Sequence, residues 1–229
     1  MNQAPKIIAF IPARGGSKSI QLKNIKEFCG KALIAWCLEA LNRSRVDEII
    51  VSSDNDEIKN FVASLNIDRL RSFDRDIESA TDEASTESAM LDFLNRSDYA
   101  AEDIFILVQA TSPWTEASHI DQALHVYENE GLDSLLSVVE NHSFLWDHKG
   151  NSINYDFRNR ERRQDMQNQY QENGAFYINR VGNILRDENR LSGNIGYYIM
   201  PKYSALELDD LEDWDLAESI MRRLNDSNS

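Results

Sequence analysis

The stretch Ile7-Ile8-Ala9-Phe10-Ile11-Pro12-Ala13-Arg14-Gly15-Gly16-Ser17-Lys18-Ser19-Ile20-Gln21-Leu22-Lys23-Asn24 decides the fold. Its apolar run, Lys6 to Ala13, is too short for a helix core and is closed by Pro12 and Gly15-Gly16, which predicts a buried parallel strand. A glycine-containing basic loop follows, at the carboxyl end of that strand, where ligands bind in open α/β sheets. The paired glycines let backbone N–H groups turn towards an anion, and Arg14, Lys18 and Lys23 can neutralise phosphate oxygens. No Gly-Lys-Ser/Thr closes the glycine run, so this is not a Walker loop; nor does it match the Gly-x-Gly-x-x-Gly dinucleotide fingerprint.

Charge sharpens the point. Five basic residues and one acidic residue, Glu27, lie between Arg14 and Lys31 in a chain of net charge −15. A positive island in an acidic protein predicts a small anionic ligand, and the overall acidity argues against a general nucleic-acid binder. With 229 residues and 41% hydrophobic content the chain can bury one core, and it shows no apolar stretch of bilayer-spanning length. The early apolar run is broken by Pro12 and Arg14, so no signal peptide is read and a cytoplasmic location is expected. Cys29 and Cys37 are too few for a disulfide framework, and no histidine sits at zinc spacing beside them.

Outward from the first strand the pattern alternates. Helices are predicted at Leu33 to Asn42, Asp56 to Leu65, Thr86 to Asn95 and Ala117 to Glu130, with strands at Glu48 to Ser53, Ile104 to Gln109 and Ser134 to Val139. This βαβ rhythm implies a mostly parallel sheet between helical layers, an α/β three-layer sandwich. It fails from Glu140 to Gln171, a polar stretch too long for an ordinary connection and read as a protruding insertion. It resumes with Phe176-Tyr177-Ile178, Gly196 to Met200 and a terminal helix around Trp214 to Leu224.

Three further loops have polar character: Ser52-Ser53-Asp54, Thr81 to Thr86, and Gln109-Ala110-Thr111-Ser112-Pro113. Helix capping accounts for Ser85 or Thr86 with Glu87, and for Ser53 and Asp54 before the second helix. Glu207-Leu208-Asp209-Asp210-Leu211-Glu212-Asp213-Trp214-Asp215 carries six carboxylates. In an extended segment Glu207 and Asp209 share one face and can hold a divalent cation, while Asp210, Glu212, Asp213 and Asp215 suit the first turn of the final helix.

Taken together these motifs resemble the acylneuraminate cytidylyltransferases, or CMP-sialic acid synthetases, of the nucleotide-diphospho-sugar transferase superfamily. The resemblance rests on Ile11 to Lys18 with Lys23-Asn24, Leu107 to Pro113, Arg162-Arg163-Gln164-Asp165, Asn173 to Ile178, and Glu207-Leu208-Asp209 before Glu212-Asp213-Trp214, and it covers nearly the whole chain. It implies a single domain over residues 1–229, in which 140–172 is an inserted arm that forms a homodimer. The implied reaction is Mg2+-dependent attack of a nine-carbon 2-keto sugar acid on the α-phosphorus of CTP, giving a CMP-sugar and pyrophosphate. It implies further that Arg14, Ser17, Lys18 and Lys23 surround the triphosphate, that Asn24, Arg75, Ala84 and Thr86 hold the cytidine, and that Gln109, Thr111, Ser112 and Tyr177 face the sugar acid. Asp209 with Glu207 matches the metal pair, and Arg163 would serve the partner's site. Arg14, Lys23 and Asp209 are thereby the expected catalytic residues, and the general base stays open between Asp209, a metal-bound hydroxide and an ionised sugar hydroxyl.

The chain departs from the family pattern at Gln171 (commonly arginine), Glu207 (aspartate), Ala110 (proline), Thr115 (arginine), Ser19 (glycine) and Gln21 (proline). Legionaminic, pseudaminic and Kdo acids are therefore alternative substrates, and a noncatalytic CTP-binding regulatory protein is the reading from a different class.

Overall fold

The computed structural model describes residues 4–16, 19–81, 84–162 and 169–227. Strand β1 (Ile7–Pro12) begins a seven-stranded sheet whose other members are β4 (Glu48–Ser53), β5 (Leu70–Asp74), β6 (Ile104–Val108), β7 (Ser134–Glu140), β8 (Tyr170–Arg180) and β9 (Ile195–Ile199). A separate two-stranded hairpin, β2 (Glu27–Phe28) and β3 (Lys31–Ala32), lies between β1 and the first helix. The sheet order is β5-β4-β1-β6-β8-β7-β9, and only β8 runs against its neighbours.

Alternating side chains of β1 build two cores. Ala9 and Ile11 face α1 (Leu33–Arg43), α2 (Asp56–Ser64) and α4 (Ala117–Asn129), whereas Ile8 and Phe10 face α3 (Thr86–Asn95) and α5 (Val181–Asp187). That is the expected three-layer α/β sandwich. The second core is aromatic, with Phe93 ringed by Phe10, Phe73, Tyr99 and Phe105 at centroid separations of 5.0–6.4 Å. A third cluster seats the final helix α6 (Leu211–Ser227) through Trp214, Ala217 and Met221 against Phe28, Leu33 and Trp114.

The connections from β1 and β4 run to one side of β1, and the chain then crosses back to place β6 on the other. This reversal opens a crevice outside the carboxyl ends of β1 and β6. Because β8 is antiparallel, its amino end meets the same edge. Between the pairs Leu136↔Tyr177 and Val138↔Glu172, residues 173–176 of β8 stand opposite Ser137 alone, a large bulge. The buried Ser137 hydroxyl holds it, donating to Asn173 Oδ1 (2.6 Å) and accepting from the Phe176 amide (3.0 Å). Gly174 takes φ +68° there, a conformation suited to glycine.

The terminal helix starts at Leu211, earlier than expected, and β5, α5 and the β2–β3 hairpin go beyond the sequence reading. Residues 141–169 join β7 to β8; in this segment Phe144, Trp146, Tyr155 and Phe157 form an aromatic cluster, with Trp146 and Phe157 49% exposed.

Candidate active site

The loop after β1 is tied down from three directions. The Gly15 amide donates to Asp54 Oδ1 (2.9 Å), Asn24 Nδ2 donates to the Arg14 carbonyl (3.1 Å), and Arg14 Nη1 donates to the Thr81 carbonyl (3.2 Å). The Gly15 N–H is held by Asp54, and glycine is needed there because a Cβ would lie 2.7 Å from Asn55. Asn55, neither Ser53 nor Asp54, caps α2, accepting from the Glu57 and Ile58 amides, so Asp54 is left to hold the loop. Ser17, Lys18 and Arg163 lie outside the described residues.

Leu22, at φ +48°, precedes the short 3-10 turn Lys23–Ile25; that left-handed geometry costs a residue with a Cβ about 1–2 kcal/mol. The turn directs Lys23 across to the chain before α6. Lys23 Nζ donates to the Leu208 carbonyl at 2.6 Å and lies 3.5 Å from Asp209 Oδ1, with its side chain only 15% exposed. Leu208 is buried while Glu207 and Asp209 are exposed on either side of it, the alternation expected of an extended segment. Asp210 and Asp213 are occupied by capping: Asp210 Oδ1 accepts from the Asp213 amide (2.9 Å), and Asp213 Oδ2 accepts from the amides of Asp209 and Asp210. Among the described residues no cluster of three or more potential metal ligands occurs. Glu207 and Asp209 nonetheless suit magnesium, a hard cation usually held by one or two carboxylates with phosphate oxygens and water completing its shell.

Gln109, Thr111, Ser112, Tyr177, Glu207 and Asp209 line one recess of about 210 Å³. Consecutive turns shape its near wall, with the Ser112 amide donating to the Gln109 carbonyl and the Thr115 amide to that of Ser112. The Gln109 amide in turn donates to the Ala175 carbonyl at 3.0 Å, fixing this wall to the β8 bulge. Asn173 also lines the recess, donating through Nδ2 to Ser204 Oγ at 2.9 Å. The Tyr177 hydroxyl donates to Glu172, and burial together with that carboxylate raises its pKa.

Arg75, Ala84 and Thr86 do not line this recess. Arg75 is 8% exposed; its Nη2 donates to the Ser79 carbonyl while its buried Nε has no partner. Burial lowers its pKa, opposed by Asp54, and Arg14 adds to the lowering. Arg14, Asp54 and Arg75 thus form one electrostatic group beside the first loop. Ser85 caps α3 as expected, accepting from the Ser88 amide at 3.1 Å.

Sequence reasoning missed Asn173 as an individual site residue, and also Ser204 and Arg190. The Asn-Gly pair, a strong turn signal inside a strand, was the available clue for the first. Nothing local marks Arg190, which reaches the recess from the loop after α5.

Loops gathered at the switch point of a mostly parallel sheet define an α/β protein with a candidate site at the carboxyl ends of its strands. The chain belongs to the cytidylyltransferase family, whose profile matches residues 8–224. It is 36% identical over 222 residues to N-acylneuraminate cytidylyltransferase B of Danio rerio, covering 94% of this chain and 51% of the relative. It is 31% identical to an N-acylneuraminate cytidylyltransferase of Escherichia coli, covering 96% and 53%. The chain therefore spans about half the length of these relatives. A pseudaminic acid cytidylyltransferase of Campylobacter jejuni is 28% identical and is matched over 97% of its own length, with 95% of this chain. A CMP:2-keto-3-deoxy-manno-octonic acid synthetase complexed with CTP shares the fold at TM-score 0.69 and 15% identity, covering 95% of this chain and 99% of that one. The 4-diphosphocytidyl-2C-methyl-D-erythritol synthase of Anaerococcus prevotii does so at TM-score 0.70 and 14% identity, covering 95% and 96%.

Proposed function

We propose that this chain transfers CMP from CTP to the anomeric hydroxyl of a nine-carbon 2-keto sugar acid. The hydroxyl oxygen forms a bond to the α-phosphorus, the bond from that phosphorus to the bridging oxygen breaks, pyrophosphate leaves, and the hydroxyl proton is lost. The observation that carries this reading is the convergence of the Gln109–Ser112 turns, the β8 bulge and the Glu207–Asp209 segment on one recess bordered by Lys23.

Catalysis in this scheme is positioning with electrostatic stabilisation. Arg14 and Lys23, with Ser17 and Lys18, hold the triphosphate; Asn24, Arg75, Ala84 and Thr86 hold the cytidine; Gln109, Thr111, Ser112 and Tyr177 bound the sugar. Lys23 also fixes Leu208 through its carbonyl, which sets where Asp209 stands. Glu207 and Asp209 are the residues that would hold Mg2+, which supplies neutralisation of charge on the leaving pyrophosphate.

An N-acylneuraminic acid is the first choice of acceptor, supported by the vertebrate and E. coli relatives. A pseudaminic acid is the second, supported by the Campylobacter relative of matching length. The segment 140–172 is read as an arm of the single domain, docking two copies into a homodimer and bringing Arg163 to the partner's site. In support, Leu145, Trp146, Ile153 and Phe157 in that segment are exposed, as are Ile195, Tyr197 and Ile199 on edge strand β9. A cytoplasmic reaction suits the two free thiols. No helix among the described residues is long and apolar enough to cross a membrane.

Phosphorus NMR of CTP, Mg2+ and N-acetylneuraminic or pseudaminic acid tests the reaction: the α-phosphate should reappear as a CMP phosphodiester together with pyrophosphate. CTP left intact under saturating conditions with every acid, while it still binds, would favour the regulatory reading.

A further inference from the structure

We propose that Arg190 is the specificity-determining residue that recognises the negative charge of the acceptor. The inference rests on the reaction proposed above, in which the acceptor is an acid. Among the described residues that line the recess, Arg190 is the one cation, and its guanidinium lies beside the Tyr177 ring.

Its position is built from both ends. Asn179, 1% exposed on β8, donates through Nδ2 to the Arg190 carbonyl (3.1 Å) and to Ser192 Oγ (3.1 Å), pinning the backbone of the loop to the sheet. The side chain is clamped by Glu87 in the first turn of α3, with Nε to Oε1 at 2.5 Å, and its guanidinium lies 4.9 Å from the centroid of the Tyr177 ring. Arg190 and Glu87 side chains are each only 22% exposed.

A half-buried guanidinium held in this way has lost most of its rotamer freedom before any ligand arrives, so it pays little entropy on binding. The Glu87 bond uses Nε and a further side-chain hydrogen bond reaches Tyr177, and the remaining N–H donors of the planar guanidinium suit a carboxylate. Glu87 pairs with the cation, which makes its partial burial tolerable. Glu207 and Asp209 line the same recess, so the carboxylate of an acidic acceptor is attracted to Arg190 and repelled by that pair.

The test is calorimetric titration of wild type, Arg190→Met and Arg190→Lys with N-acetylneuraminic acid and with its methyl ester. A charge-assisted bond from a partly buried cation should make wild type prefer the acid about 30-fold. Arg190→Met should bind acid and ester within about threefold of each other while its CTP affinity stays within about twofold of wild type. Arg190→Lys keeps the charge but not the fork and should fall between them. A merely structural arginine would weaken acid and ester alike, so equal losses overturn the assignment, as does wild type that binds both equally or binds neither. Turnover by wild type, followed in parallel, tests the proposed reaction by itself: activity without acid-over-ester preference refutes the role of Arg190 alone.

Discussion

Replacing Arg75 with methionine separates a residue kept for a ligand from one kept for the fold. Arg75 is a buried cation with one hydrogen bond to Ser79 and an Nε that has none. An unsatisfied buried donor costs about 1–3 kcal/mol, and removing the partner of the Ser79 carbonyl costs about the same, so the two effects offset. Methionine fills a similar volume, and exchanging a buried charge for a hydrophobic isostere is often neutral or better. The apo melting temperature should therefore move by no more than about 3 °C, since ~1 kcal/mol corresponds to about 2–4 °C in a domain of this size. Binding behaves differently. Loss of one charge-assisted hydrogen bond, about 2 kcal/mol, weakens CTP about 30-fold. At 100 times the wild-type Kd, CTP stabilises wild type by about 2.7 kcal/mol, or about 8 °C. At the same concentration the variant gains only about 0.9 kcal/mol, or about 3 °C. Differential scanning fluorimetry with and without CTP reads both numbers. A large fall in the apo melting temperature with the CTP shift intact would show that Arg75 serves the fold.

Other expectations follow from the same geometry. Asp209→Asn should raise the magnesium concentration needed for half-maximal rate and cut kcat sharply, whereas Asp213→Ala, which removes the acceptor of two capping hydrogen bonds, should cost about 1 kcal/mol of stability and leave the magnesium titration unchanged. Phe93→Ala removes the ring at the centre of the second core and should destabilise by about 3–5 kcal/mol in urea unfolding, with CTP affinity retained in the folded fraction. Hydrogen bonds from Lys6 and Tyr99 hold the Glu48 carboxyl below the usual carboxylate range against the effect of its partial burial. Its contribution to stability is thus present above the ordinary carboxylate pKa and is lost as pH falls through the depressed value. Glu48→Gln should accordingly flatten the acid limb of the stability profile measured by chemical denaturation.

The parallel half of the sheet was legible because its strands are buried on both faces and read as continuous apolar runs: Ile104–Val108 is buried at every position. Edge strand β5, Leu-Arg-Ser-Phe-Asp, is half exposed and carries no such signal, so periodicity passes over it. Only the apolar end of β8 was visible for the same reason; Gln171, Glu172 and Asn173 are polar because they belong to the exposed end and the bulge. Helix α5 has seven residues, too short for a periodic pattern to stand out.

At the site, residues embedded in contiguous motifs were found, and Gln109 to Ser112 with Tyr177, Glu207 and Asp209 do share a recess. What escaped notice depends on long-range contact. The Gly15 amide meets Asp54 across 39 residues of chain, and Arg190 meets Glu87 across 103. Pairings of that kind are set by sheet order, which composition and spacing do not encode. Asn55 was overlooked as the α2 cap although it directly precedes the helix, because Ser53 and Asp54 beside it are equally good capping residues.

The most direct test of the central claim is pyrophosphate release by the purified chain, with CTP, UTP or ATP as donor and N-acetylneuraminic, legionaminic, pseudaminic or Kdo acid as acceptor, in the presence of Mg2+. The account predicts release that requires both CTP and one nonulosonic acid, with an equimolar CMP-sugar in the mass spectrum. Release that is independent of the sugar acid, or none with any acid while CTP remains bound, would contradict it.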